Sequence, residues 1–201
     1  MSTPPEFVTA LVLAAGGSKR LGRPKQLLAF GDGTLLDHTL ATARACAPDQ
    51  LVVALGGSAG DVRKTVDLSG AEVVVNEGFG GGCSSSIAAA LGAVDERCEV
   101  LVLLLGDQPG VTPATVRALL EDRAGAELAV CRYDDGRGHP FAFGRGAFDD
   151  LRAMHGDKAV WKLLERRGDA VAEVAVPGPV PPDVDTWDDY EAVLATAAAL
   201  A

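Results

Sequence analysis

Val100-Leu-Val-Leu-Leu-Leu105 is apolar at six successive positions, without the polar alternation of a strand that keeps one wet face. A strand of this kind needs cover on both sides, which points to the interior of a parallel sheet flanked by helices. The rest of the chain repeats the theme. Further strands are expected at residues 7–13, 51–55, 72–75, 128–132 and 170–176. They alternate with helix-period segments at 35–46, 61–66, 84–94, 113–122, 147–154, 158–167 and 188–199. Thr112-Pro113 marks one helix start sharply, as N-cap and first helical position. With 201 residues and 48% apolar content the chain can bury one good core and hardly two. The pattern predicts an α/β class, a single-domain three-layer α/β/α sandwich with a mostly parallel, Rossmann-like sheet. It spans residues 1–201, with 1–6 as a flexible lead.

Composition removes several function classes. No apolar run approaches the length of a membrane span, so no membrane partner is expected. The first residues carry neither a basic nor an apolar leader, and a cytoplasmic location is expected. Cys46, Cys83, Cys98 and Cys131 lie far apart, without the paired spacing of a zinc or redox site. Net charge is -10, which argues against nucleic acid as a partner. A small anion in one basic pocket remains compatible.

Such a pocket is foreshadowed where the first strand breaks into Leu13-Ala14-Ala15-Gly16-Gly17-Ser18-Lys19-Arg20-Leu21-Gly22-Arg23-Pro24-Lys25. Glycines let the main chain approach a ligand, and N–H groups of such a turn can converge on an anion. Lys19, Arg20, Arg23 and Lys25 add four cations within seven residues. A triphosphate is the natural occupant. The spacing fits neither a Walker A loop nor a G-x-G-x-x-G dinucleotide turn.

Gly106-Asp107-Gln108-Pro109 follows the strand at 100–105, and ligands of open α/β sheets sit beyond the carboxyl ends of the strands. Asp107 is therefore expected beside the glycine turn. A carboxylate next to a triphosphate makes sense with a hard cation between them, although a turn or helix cap would also use an aspartate. Asp183-Val-Asp185-Thr186 precedes the last helix, where Thr186 can also act as its cap. Asn76-Glu-Gly-Phe-Gly-Gly-Gly-Cys-Ser-Ser-Ser86 joins a strand to a helix with flexible glycines and hydroxyls. Cys83 stands at that helix start, where a thiol pKa can fall, but no base is evident nearby. Gly138-His139-Pro140 reads as a turn ahead of the apolar Phe141-Ala-Phe143. His38 and His155 read as surface residues.

The first of these segments resembles L-A-[AG]-G-x-S-x-R-[ML]-G-x-x-K, the signature of MobA-like nucleotidyltransferases, with Gly16, Ser18, Arg20, Gly22 and Lys25 all in place. The resemblance runs from Leu11 to Tyr190. It implies a fold of the nucleotide-diphospho-sugar transferase type. It makes Arg20, Lys25 and Asp107 catalytic, and gives Mg²⁺, with Mn²⁺ as a substitute, to Asp107 and Asp185. Nucleotide contacts would come from Leu13 through Ser18, Arg20, Lys25, Gly82, Ser84, Ser85 and Asp107.

Ala14-Ala15-Gly16, Gly106-Asp-Gln-Pro, Gly138-His-Pro and Asp183-Val-Asp-Thr are most similar to the molybdenum cofactor cytidylyltransferases. That branch implies CTP and a molybdopterin-type acceptor as substrates, His139 on the acceptor side, and a molybdoenzyme client. One segment departs from the branch: Ala159 and Trp161 stand in Gly156-Asp157-Lys-Ala-Val-Trp161-Lys162 where a glycine and a basic residue are usual. Acceptor identity is thus less constrained than nucleotide transfer. GTP, another phosphate acceptor, or a non-catalytic nucleotide sensor or chaperone for a molybdoenzyme are the alternatives.

Overall fold

The computed structural model describes residues 6–200. Nine strands and seven α-helices follow in the chain order β1 (Val8–Ala14), β2 (Ala29–Phe30), β3 (Gly33–Thr34), α1 (Leu35–Ala45), β4 (Gln50–Leu55), α2 (Ala59–Thr65), β5 (Glu72–Val75), α3 (Cys83–Leu91), β6 (Val100–Leu105), α4 (Pro113–Asp122), β7 (Leu128–Tyr133), β8 (Gly136–Gly144), α5 (Phe148–Ala153), α6 (Ala159–Arg167), β9 (Val171–Ala175) and α7 (Trp187–Leu200). Short 3₁₀ turns, among them Lys25–Leu27 and Phe79–Gly81, lie between them. Every strand and helix expected from the sequence forms, with ends displaced by a few residues. The expected flexible lead falls mostly outside the described residues. Glu6 is described, and it pairs with the buried guanidinium of Arg123.

Seven strands form one sheet in the order β5-β4-β1-β6-β8-β7-β9, and β2 and β3 make a separate small hairpin. β5, β4, β1 and β6 are parallel neighbours, β8 alone runs the other way, and β7 and β9 resume the first direction. β1 explains why both faces need cover. Leu11 and Leu13 point into a core with Ile87 of α3, Leu151 of α5 and Leu163 of α6. Ala10, Val12 and Ala14 point the opposite way, toward Leu36 and Leu40 of α1, Val62 of α2 and Val116 of α4. The period-two alternation of a strand thus feeds two apolar layers at once. Leu11 and Val12 are completely buried, and burying such a side chain contributes about 1.5–3 kcal/mol.

Local signals place the helices. Thr34 and Asp37 form a reciprocal capping box at the start of α1. Thr112 caps α4, with Pro113 at its first position, as the sequence predicts. One strand departs from expectation. Gly138-His139-Pro140 is no turn but part of β8, where the chain bulges against β7 between Val130 and Cys131. A glycine-rich start with a proline hides strand character in sequence, and a bulge accommodates both.

Parallel strands bring their carboxyl ends to one edge, so the segments after β1, β4 and β6 meet there. Contact is closest at Gly56, where a Cβ would overlap the carbonyl oxygen of Ala15. Overpacking of this kind costs about 1–3 kcal/mol. Gly56→Ala is expected to lower unfolding free energy by about that amount in chemical denaturation. A variant as stable as the parent would show that the two loops separate freely.

Candidate active site

The segment after β1 is shaped by the main chain as much as by its cations. Ser18 adopts a positive φ of 46° and Gly22 one of 69°, and the N–H groups of Leu21 and Gly22 both donate to the Ser18 carbonyl. A non-glycine residue in this region stores strain that surrounding contacts must hold. The Ser18 hydroxyl does so by accepting the N–H of Lys25 at 2.9 Å. Among the described residues, no acceptor within the chain pairs with the N–H of any residue from Ala15 to Arg20. A run of free N–H groups beside exposed cations is the construction of an anion cradle.

The second element comes from β6. Gly106 approaches Ala14 and Leu36 closely and donates its N–H to the Leu13 carbonyl. Asp107 follows, and its side chain is only 15% exposed. The third element arrives from far along the chain. Val184 is completely buried among Leu21, Leu28, Leu35 and Val193, and its N–H donates to the Asp107 carbonyl at 3.0 Å. That anchor delivers Asp185 to the edge of the site. Thr186 and Asp189 cap α7 reciprocally, so the capping reading of Thr186 and a site position for Asp185 hold together.

Lys25 joins the three. Its ammonium contacts the Asp107 carboxylate and lies 2.8 Å from Asp185 Oδ1, with 12% of its side chain exposed. Burial alone would push this ammonium down, but Asp107 and Asp185 outweigh it and hold it above the ordinary lysine value. The hydrogen bond from Lys25 likewise holds the Asp185 carboxyl below its usual range. Arg20 pairs with Asp185 at 2.5 Å from a 65% exposed position, where an ion pair contributes little. Asp183 lies nearby, and its carboxyl is pushed up to about 6 by desolvation and then by the charge of Asp107.

Two carboxylates converging on one positive charge also fit a divalent cation. Among the described residues no group of three or more His, Cys, Asp or Glu is spaced to hold a metal. Asp107 and Asp185 would thus supply only part of a coordination shell. That suits Mg²⁺ or Mn²⁺, which keep water and phosphate oxygens as ligands.

A cavity of about 480 Å³ opens over these groups. Leu13, Ala14, Ala15, Gly16, Gly17, Ser18, Arg20, Lys25, Gly82, Asp107 and Asp185, all expected from the sequence, line it together. Ser84 and Ser85 do not. The Ser84 hydroxyl accepts the N–H of Gly156, and that of Ser85 donates within its own turn. α3 begins at Cys83, and Ser86, the residue after Ser85, lines the cavity instead. His139 is also absent from the lining. Its ring packs 4.0 Å from Phe141 and stands edge-on to Trp161, and burial pushes its imidazole down to about 3. It is neutral at physiological pH and supplies no charge to a phosphate. His38 and His155 are exposed, as expected.

Gln26, Phe79 and Asp157 line the cavity without having stood out in the sequence. Phe79 covers Gly17 and Gly57, where a Cβ would meet its ring. Asp157 accepts the N–H of Cys83 at 3.2 Å, and its carboxylate would overlap a Cβ at Gly82. A Gly-Asp pair in an otherwise atypical segment was the only available sign of it.

A family model described as the MobA-like NTP transferase domain matches residues 10–171. The chain belongs to that family. Rv0371c from Mycobacterium tuberculosis H37Rv shares 49% identity and a TM-score of 0.91, over 96% of this chain and all of that one. A structure of Rv0371c in complex with manganese gives a TM-score of 0.86 at 47% identity, over 94% of this chain and 99% of that one. Nicotine blue oxidoreductase from Paenarthrobacter nicotinovorans is 33% identical over 147 residues, which are 69% of this chain and 72% of that protein. Bifunctional protein GlmU of Cupriavidus taiwanensis is 38% identical over 171 residues, 83% of this chain but 35% of GlmU. The chain thus spans about a third of GlmU. No helix among the described residues is long and apolar enough to cross a membrane.

Cys83 lines the same cavity. Burial, then Asp157 and Asp107, push its thiol up to about 11, opposite to the fall that its helix-start position suggested. Its thiolate is scarce at pH 7.5, and its alkylation should rise about tenfold per pH unit up to pH 10. Native-state labelling by iodoacetamide, read by mass spectrometry, checks this. Labelling as fast as free cysteine at pH 7.5 would contradict it.

Proposed function

We propose that the protein transfers CMP from CTP to the terminal phosphate of a molybdopterin-type acceptor and releases pyrophosphate. The observation that carries this reading is the Asp107–Lys25–Asp185 cluster set against the free N–H groups of Ala15 to Arg20. It joins a centre for a cation to a cradle for phosphates. An acceptor phosphate oxygen would attack the α-phosphorus as the bond to the β-phosphate oxygen breaks, and the departing electron pair leaves on pyrophosphate. A phosphate monoester is already ionised at pH 7, so no general base is required.

In this reading the N–H groups of the β1 turn and the Arg20 guanidinium bind the β- and γ-phosphates and stabilise the leaving charge. Lys25 bridges toward the same phosphates while remaining tied to the carboxylates. Asp107 and Asp185 would hold Mg²⁺, or Mn²⁺ in its place, which would supply charge to polarise phosphate oxygens. The manganese complex of Rv0371c supports a divalent ion in this family. Gly82 and Ser86 border the space for the base, with Ser84 and Ser85 bracing the loop around it. Catalysis consists of positioning and electrostatics.

CTP rests on the sequence resemblance of the β1, β6 and β8 motifs to cytidylyltransferases. The molybdopterin-type acceptor and a molybdoenzyme client rest on the same ground. His139 belongs on the acceptor side as a neutral packing group, because β8 runs antiparallel and starts at the edge where β6 ends. A second reading follows from nicotine blue oxidoreductase, whose name gives this scaffold a redox reaction. The carboxylate pair around Lys25 favours the transferase.

Pyrophosphate release is measured with Mg²⁺, molybdopterin-type acceptor and each of CTP, GTP, ATP and UTP. Release with CTP alone is expected. Release with GTP would reassign the branch, and silence with all four would end the transferase reading. Asp107→Asn is expected to cut turnover by about 100-fold or more with the fold intact. Lys25→Ala should weaken both nucleotide binding and turnover by about tenfold or more. A near-normal rate in either variant would remove that residue from the site.

A further inference from the structure

The free N–H groups of the β1 turn need something to hold them facing the cavity, since a peptide that flips would present its carbonyl oxygen to an anion instead. One side chain is placed to do this. Gln26 sits in the 3₁₀ turn Lys25–Leu27, is 2% exposed, and lies against the inner side of the turn. Its Nε2 donates to the Ala14 carbonyl at 2.7 Å and to the Gly16 carbonyl at 3.1 Å. Both hydrogens of the amide are therefore spent on alternate peptides of the turn. Its Oε1 is buried and accepts nothing from the described residues. A buried acceptor without a partner is costly, so the position is tuned for the two donors rather than for a balanced amide.

In a planar trans peptide the carbonyl and the following N–H point in opposite directions. Fixing the carbonyls of Ala14 and Gly16 on the buried side thus turns the N–H groups of Ala15 and Gly17 away from Gln26. Both residues line the cavity, and neither N–H has an acceptor within the chain among the described residues. We propose that Gln26 is a positioning residue that locks the β1 turn into its anion-accepting form, with Ala15 and Gly17 as the N–H donors it aims. This rests on the phosphate-binding role proposed for the turn. It adds a requirement at residue 26 that charge alone would not impose.

The test uses the full chain with inorganic pyrophosphate as the probe, followed by calorimetry and by amide NMR spectra. In the parent protein, pyrophosphate should shift the amide signals of Ala15 and Gly17. Gln26→Met, which keeps length but cannot donate, should bind pyrophosphate about tenfold more weakly, and Gln26→Glu, which sets a carboxylate against two carbonyls, at least as poorly. The shifts of Ala15 and Gly17 should be lost in both. A Gln26 that only supports the fold would lower the melting temperature yet leave the affinity of the folded variants unchanged, and that result overturns the proposal. Should either variant fail to fold, the parent spectra decide. Unmoved Ala15 and Gly17 signals while pyrophosphate binds would also overturn it. A parent that binds neither pyrophosphate nor CTP would instead refute the nucleotidyltransferase reading itself.

Discussion

The ammonium of Lys25 between Asp107 and Asp185 is the contact on which the rest of the site depends. It joins three segments that are remote in sequence: the turn after β1, the end of β6 and the stretch before α7. A sheltered carboxylate, Asp107, and a half-exposed one, Asp185, aimed at one point repel each other unless a positive charge lies between them. Lys25 provides it, and its own charge is kept by the pair despite burial. Among the described residues, the turn before Lys25 meanwhile leaves the N–H groups of Ala15 to Arg20 without acceptors. The site is therefore polarised, with a demand for cations at one end and for anions at the other. A metal–triphosphate complex has that same polarity.

The sheet makes the juxtaposition possible. β1 and β6 are parallel neighbours, so the turns that leave them emerge side by side at one edge. Asp185 needs a separate device, because its segment belongs to no strand of that edge. Buried Val184 supplies it, by packing into the cluster under α1 and donating to the Asp107 backbone. Position is thus set by apolar burial and main-chain hydrogen bonds, and the charged groups meet as a consequence. The overall charge of -10 plays no part in this local balance, which is fixed by a few groups within contact distance.

Much of this was legible in the chain itself. Unbroken apolar runs and Thr-Pro capping located the sheet and its helices, and the glycine turn, Asp107 and Asp185 were readable from spacing and family resemblance. β8 was not, because glycines and a proline at its start imitate a turn. Ser84 and Ser85 lie outside the cavity lining while Ser86 is part of it, since helix phase depends on a start that sequence locates only loosely. Gln26 carried no signal, and Asp157 only its place in a Gly-Asp pair of an atypical segment. Their importance lies in what they face, across the fold or across a turn, and that is a property of three-dimensional packing.

In the proposed reaction one site takes a cation and a triphosphate together, each completing the binding of the other. Mn²⁺ affinity followed by electron paramagnetic resonance, with and without CTP, tests it most directly. Two carboxylates shared with Lys25 should bind Mn²⁺ weakly alone, and CTP should tighten that binding by about tenfold or more. Equal Mn²⁺ affinity in the presence and absence of CTP would contradict the account.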